Sequence, residues 1–257
     1  MKLATWNIHR CIGRDGAKSP ERCAAVLQEI DADVIALQEV ESRPGHELDV
    51  LAYLAREAGA RAIAGATMIE QDAHYGNALL TRLPVHAVRR HDLSVSGREP
   101  RGALDVDLDL DGSRLQMIAT HLGLRPAERR EQVRRLLPLF DTGGRDLVVL
   151  TGDLNEWFLW GRPLRMLHRI FPHASHKRTW PAHAPLFALD RIWVHPHNAL
   201  RNLAAHRSQL ARVASDHLPV TAEIDLLLTA DGPDNPGVDT TKYMQRVNNR
   251  QSFICGD

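Results

Sequence analysis

Cysteine is scarce in this chain: three in 257 residues, at Cys11, Cys23 and Cys255. None pairs with another at a metal-ligand spacing. Neither a disulfide framework nor a thiolate metal site is indicated, and reduced thiols in a reducing compartment are expected. A charge excess is also missing. Lys plus Arg equal Asp plus Glu at 32 each, so the formal net charge is zero. No global basic field exists to draw in nucleic acid, although a local basic cleft remains compatible with that balance. Nowhere do about 18 apolar residues run together, so no transmembrane helix is expected. The opening Met1-Lys2-Leu3-Ala4-Thr5-Trp6-Asn7 turns polar before any secretory apolar segment forms. No internal repeat occurs. A cytoplasmic, monomeric protein is expected.

What the chain does contain is a 44% hydrophobic fraction, enough for one sizeable core. Residues 2–9 alternate as a first strand. Ser19-Pro20-Glu21 opens a helix, with Ser19 as cap and Pro20 in the first turn. The continuous run Asp33–Gln38 suits a strand buried on both faces. A second helix is expected over 47–58, ended by Gly59. Short strands then follow over 62–66, 77–81, 85–93, 102–110 and 114–121. Asp111-Gly112 between two apolar runs predicts a hairpin turn. Residues 126–139 form an amphipathic helix, with Arg129, Arg130, Arg134 and Arg135 on a solvated face. A strand over 147–150, a short helix over 162–170 and strands over 186–194 and 218–227 complete the pattern. Residues 229–257 are turn-rich and polar without a clear period. They are expected to be a disordered or loosely attached tail beyond a domain at 1–228. Helices interleaved with strands suggest α/β layers, two packed sheets with helices outside.

Polar clusters close many of these apolar runs. They are Thr5-Trp6-Asn7-Ile8-His9, Leu37-Gln38-Glu39-Val40, Gly76-Asn77-Ala78, Thr120-His121-Leu122, Gly152-Asp153-Leu154-Asn155, Leu189-Asp190-Arg191 and Ser215-Asp216-His217-Leu218. Each has an ordinary reading. A lone Glu at a strand end is usually a solvated loop residue. Asp-x-Asn is a common turn, and most of 14 histidines must be structural or on the surface. Read functionally, Glu39 is a hard oxygen ligand for Mg²⁺, and Asn7 offers an amide oxygen or steadies that carboxylate. Asp153 and Asn155, two apart on an extended segment, face the same way and can hold one water. Asp190 is a candidate to orient His217 and favour its imidazolium form. Asn77 is a turn residue or a substrate contact. Arg101 is a surface residue or a fork for phosphate. Trp157, Trp160, Trp180 and Trp193 wall a cleft or simply pack.

Taken in order, these seven clusters resemble the endonuclease/exonuclease/phosphatase superfamily over about residues 2–226. The resemblance implies a DNase-I-like, four-layered α/β (α+β) sandwich of two mixed β-sheets flanked by helices. It implies Asn7, Glu39 and Asp216 near a Mg²⁺ ion, for which Mn²⁺ can substitute. It implies catalytic roles for His121, Asp153, Asn155, Asp190 and His217: Asp153 aligning or deprotonating water, Asn155 and His217 on the phosphate. Asn77 and Arg101 are implied as substrate contacts. Leu154 stands where the family often has Phe. His121 is similar to the histidine of the DNase and sphingomyelinase branches. The tyrosine of the abasic-endonuclease branch has no convincing counterpart, which weakens a DNA-repair reading. Tyr75–Leu80, Glu99–Gly102 and Thr120–Leu124 look most like small stand-alone bacterial members.

The implied activity is Mg²⁺-dependent hydrolysis of a phosphodiester by in-line attack of water, with nucleic acid or a lipid or small-molecule diester as substrate. A phosphomonoester or inositol phosphate is the alternative substrate class, and a catalytically silent binding module is the alternative function. Peripheral lipid contact is compatible with the sequence, although no basic amphipathic helix stands out. Arg162, Arg165, Arg169, Lys177 and Arg178 are candidates for a local DNA groove.

Overall fold

The computed structural model describes residues 1–226 apart from 47–48, 71–72 and 173–174. The expected tail at 229–257 therefore lies outside the described residues. The first strand, β1 (Lys2–Asn7), leads through α1 (Pro20–Ile30) to β2 (Val34–Ser42). Ser19 caps α1 by accepting from the Arg22 amide at 3.2 Å, as its position before Pro20 predicts. Next come α2 (Val50–Glu57), β3 (Arg61–Glu70) and β4 (Ala73–Thr81). The second half opens with three consecutive strands, β5 (Val85–Asp92), β6 (Gly102–Leu110) and β7 (Ser113–His121). From there α3 (Pro126–Leu136) leads to β8 (Leu147–Asp153). Then follow α4 (Arg162–Leu167), β9 (Asp190–His195), β10 (Leu200–Ala205), α5 (Ala211–Ala214) and β11 (Val220–Ile224). Asp111 and Gly112 both take positive φ, 54° and 89°, which is what a two-residue hairpin loop between β6 and β7 requires.

Two mixed sheets result. One runs β10-β11-β1-β2-β4-β3 and the other β5-β6-β7-β8-β9. Each contains one parallel pair, β1 with β2 and β7 with β8, and each pair is joined through a helix. Ala4, Trp6, Ile35 and Leu37 pack with α1 and α2 on the outside of the first sheet. Ile118, Val148, Leu150 and Trp193 pack with α3 and α4 on the outside of the second. The alternate residues of the same strands face the other way, and the two sheets lie against each other on those inner faces. The order of layers is helices, sheet, sheet, helices. No helix among the described residues is long and apolar enough to cross a membrane.

Several expectations shift. Residues 186–189 do not belong to a strand, because Phe187 bridges to Trp180 and the ladder of β9 begins only at Asp190. The strand β10 went unpredicted. It pairs only with β11, and its half-exposed Leu200–Ala205 lacks alternation. Helix α4 stops at Leu167 and α3 gives way to a 3-10 turn at Leu137–Leu139. Arg129 is not on the solvated face of α3. Its side chain is 3% exposed and pairs with Glu156 at 3.2 Å.

Candidate active site

Register brings the polar clusters together. On the inner face of the second sheet, His121 of β7 is opposite Asp153 of β8, which is opposite Asp190 of β9. These three form one rung at the strand ends. In the first sheet Asn7 of β1 is opposite Gln38 of β2. Asn7 has the opposite parity to Ala4 and Trp6, so it faces the other sheet, and its Nδ2 donates to Asp153 Oδ2 at 3.2 Å. That bond joins the two sheets at the site.

Glu39 reaches this point through a backbone irregularity. The β2–β4 register shifts between Leu37 and Val40, and Glu39 has φ 55°. A regular strand would send Glu39 to the helix side with Leu37. The bulge and the left-handed residue redirect the carboxylate, which accepts from Asn7 Nδ2 at 2.9 Å. The Asn7 oxygen is turned away to accept from the His9 amide at 3.0 Å, so Asn7 steadies Glu39 rather than offering it an oxygen.

Asn155 is not extended beside Asp153, as the two-residue spacing predicts. It has φ 49°, and its amide N–H donates to Asp153 Oδ1 at 2.9 Å. The turn nevertheless returns its side chain to the rung: Nδ2 lies 2.9 Å from Leu122 O and 3.0 Å from His121 Nε2. The carbonyl contact fixes which end of the Asn155 amide is nitrogen.

The two histidines are in opposite electrostatic situations. Burial works against a charge on His217, but the carboxylates of Asp190 and Asp153 outweigh it and raise the group to about 10. Its Nδ1 lies 2.8 Å from Asp190 Oδ2, which fixes the ring orientation and turns Nε2 towards Asp153 at 3.7 Å. Burial pulls His121 down to about 3, with Arg101 and His217 adding to it and Asp153 opposing. Both of its ring nitrogens face donors, Asn155 Nδ2 and Arg101 Nη1 (3.4 Å), while Asp153 Oδ2 stands 3.6 Å from Nε2.

The sequence missed the supports of these groups. Thr179 Oγ1 donates to Asp190 Oδ2 at 2.5 Å, and Trp6 Nε1 donates to the His217 carbonyl at 2.9 Å. Ser215 Oγ donates to the Asn7 carbonyl at 2.8 Å, which locks the Ser-Asp-His segment onto β1. Trp180 Nε1 donates to Asp216 Oδ2 at 3.2 Å, on the half-exposed rim. A Thr-Trp pair carries no distinctive sequence signal. Asn77 and Arg101 lie buried at the site's edge. Asn77 Nδ2 donates to Gly102 O across the sheets at 3.0 Å, and Arg101 Nη1 pairs with Glu99 at 3.0 Å. Asn77 Oδ1 and Arg101 Nε have no partner in the protein, which is rare for buried polar atoms and suits groups that meet a ligand. The tryptophans divide. Trp193 is core, Trp157 packs on Trp180 with centroids 5.2 Å apart, and Trp160 projects outward.

The donors gathered here are carboxylates, amides and two imidazoles with no thiolate, and the carboxylates fit a hard divalent cation such as Mg²⁺. Among the described residues, Asp153, Asp190 and His217 each offer one atom within 4.8 Å of the others. Asp190 Oδ2 already serves His217 and Thr179, while its buried Oδ1 has no partner.

Comparison with known proteins identifies the family and the fold. The model of the Endonuclease/Exonuclease/phosphatase family matches residues 4–217. The chain is 32% identical over 246 residues to "Uncharacterized protein YbhP" of Escherichia coli (strain K12), covering 88% of this chain and 96% of that one. Among solved structures, an endonuclease/exonuclease/phosphatase from Beutenbergia cavernae superposes with TM-score 0.70 at 24% identity, over 86% of this chain and 70% of that one. The mannosyl-6-phosphatase Bt3783 of Bacteroides thetaiotaomicron superposes with TM-score 0.71 at 16% identity, over 88% and 99%. At those identities the two structures speak for the fold alone.

Proposed function

The chain belongs to the endonuclease/exonuclease/phosphatase family, and on that premise we propose that it is a Mg²⁺-dependent hydrolase of phosphodiesters acting by in-line attack of water. The observation that carries this reading is the rung His121–Asp153–Asp190, closed by His217 and Asn155 and tied through Asn7 to Glu39. Glu39 and Asp216, with Asn7 steadying the first, would hold the cation, which when bound offsets phosphate charge and polarises the phosphorus–oxygen bond.

The remaining work falls to the chain's own residues. Asp153 holds the attacking water and takes its proton at Oδ2, the oxygen shared by Asn7 and the two histidines, while the phosphorus–oxygen bond opposite the water breaks and the leaving oxygen takes a proton from solvent. His217, fixed by Asp190, presents Nε2–H to a phosphate oxygen as charge builds there. Asn155 exchanges its His121 contact for a second phosphate oxygen. Neutral His121 lines the same wall, and Arg101 and Asn77 meet the substrate with their unpartnered atoms.

The test is Mg²⁺-dependent hydrolysis of bis(p-nitrophenyl) phosphate by wild type beside Glu39→Gln, followed by plasmid DNA. Diester hydrolysis that needs both Mg²⁺ and Glu39 supports the reading. Absence of hydrolysis with Mg²⁺ or Mn²⁺ rejects it. A second reading is a phosphomonoester substrate, a chemistry that this fold hosts in the mannosyl-6-phosphatase Bt3783, and faster turnover of p-nitrophenyl phosphate would establish it.

A further inference from the structure

Immediately after Asn155 the chain makes a tight, pinned turn. Glu156 is buried, and its Oε1 accepts from the Phe158 amide at 3.2 Å while Oε2 takes the Arg129 guanidinium. The Gly161 amide closes the turn on Phe158 O at 3.0 Å. The apolar residues between are turned outward: Phe158 is 59%, Leu159 44% and Trp160 69% exposed. Eight large hydrophobic side chains are exposed among the described residues, and four of these, Trp157 to Trp160, are consecutive. Scattered exposed hydrophobics need no explanation, but a contiguous knuckle on a rigid turn does.

The turn runs straight into α4, and the charge there is one-sided. Arg162, Arg165 and Arg169 line a cavity of about 270 Å³ with Arg130, Arg134 and Met166. Arg134 pairs with Glu131. Arg130, Arg162, Arg165 and Arg169 have no acidic partner among the described residues. In a chain of zero net charge, four guanidiniums in one place without an acidic partner make a local basic surface that attracts anions. An aromatic knuckle beside a basic cluster is the pattern of a protein that docks on an anionic bilayer. Trp and Phe settle at headgroup depth, and Arg binds phosphate by bidentate hydrogen bonds.

We propose that the Trp157–Trp160 turn and the arginine cavity of α3 and α4 form a docking surface for anionic phospholipid bilayers. A single-stranded nucleic acid fits less well. Phe158 and Trp160 lean on each other at 5.8 Å and 42° rather than opening parallel faces for bases, and Leu159 between them offers no stacking plane. The binding stands on its own. Only its consequence, delivery of headgroup phosphodiesters to a site that begins one residue before Glu156, rests on the hydrolytic function proposed above.

The experiment is co-sedimentation of the full chain with vesicles of phosphatidylglycerol in phosphatidylcholine, against pure phosphatidylcholine and a single-stranded oligonucleotide. Wild type sediments with the anionic vesicles and is released by high salt. Phe158→Ser/Trp160→Ser and, separately, Arg165→Ser/Arg169→Ser each lower partitioning at least about tenfold, because each removes one of two cooperating signals. Both variants keep wild-type melting and hydrolysis of bis(p-nitrophenyl) phosphate, so lost binding is not lost folding. Wild type remaining in the supernatant, equal sedimentation by the variants, or oligonucleotide binding without vesicle binding overturns the proposal. Vesicle binding by a chain that hydrolyses nothing leaves it intact and rejects only the hydrolytic reading.

Discussion

Arg129→Met asks how much of the site's scaffold hangs on one buried ion pair. Arg129 donates to Glu156 Oε2 through Nε and Nη2, both at 3.2 Å, and through Nη1 to the Gly123 and Leu124 carbonyls at 3.2 and 2.7 Å. Both charged side chains are 3% exposed. Removing the guanidinium leaves the carboxylate buried without its counter-ion and strips two carbonyls of their donor. Such a loss costs about 3–5 kcal/mol. For a domain of this size each kcal/mol lowers the melting temperature by roughly 2–4 °C, so a fall of about 6–20 °C is expected. Thermal unfolding followed by far-UV circular dichroism measures it. Adding Glu156→Gln removes the stranded charge, so the double variant melts above Arg129→Met and the two changes are not additive. A fall of less than about 2 °C would refute the reasoning and return Arg129 to the solvated helix face that its sequence context suggests.

Glu39→Gln and His217→Ala should each lower diester turnover by on the order of 10²–10⁴ while leaving the far-UV spectrum unchanged; wild-type-like rates in both would sink the assigned site. Gly152→Ala should unfold the site rather than slow it. Gly152 has φ 134°, and an added Cβ would sit 1.8 Å from Thr120 O, a backbone atom that cannot step aside; soluble protein with native melting would contradict this. Acid should weaken the outer edge of the second sheet. Burial pushes Asp107 up, but hydrogen bonds from Arg89 and Arg145 win and hold it at about 2. A carboxylate depressed in the folded state contributes stability above its unfolded value near 4 and loses it as pH falls towards 2. Asp107→Asn should therefore remove roughly 2 kcal/mol at neutral pH and almost none at the acid end of a urea-unfolding series. A pH-independent difference between the two proteins would refute it.

Much of the fold was legible because burial writes itself into sequence with a period. The runs Val34–Leu37 and Leu147–Leu150 are apolar without alternation because they lie between a sheet and a helix layer. The cap at Ser19 and the hairpin at Asp111-Gly112 carry their own local chemistry. Edge strand β10 was illegible because only Leu203 of its six residues is buried and its partner is supplied only by β11. Arg129 was misread because a helical wheel cannot see that Glu156, 27 positions away, comes back to bury it.

By itself the sequence determined which residues to look for at the candidate site: Asn7, Glu39, His121, Asp153, Asn155, Asp190 and His217 stand at or beside the ends of apolar runs, and strand ends are where polar side chains escape a core. Only the tertiary structure decided what each of them can do. The β7–β8–β9 register sets His121, Asp153 and Asp190 on one rung, and a bulge with positive φ turns Glu39 from the helix side to Asn7. One histidine is given a carboxylate and the other a ring of donors. Those are relations between residues far apart along the chain. The free energy that selects them comes from burying two sheets against each other, which no local pattern contains.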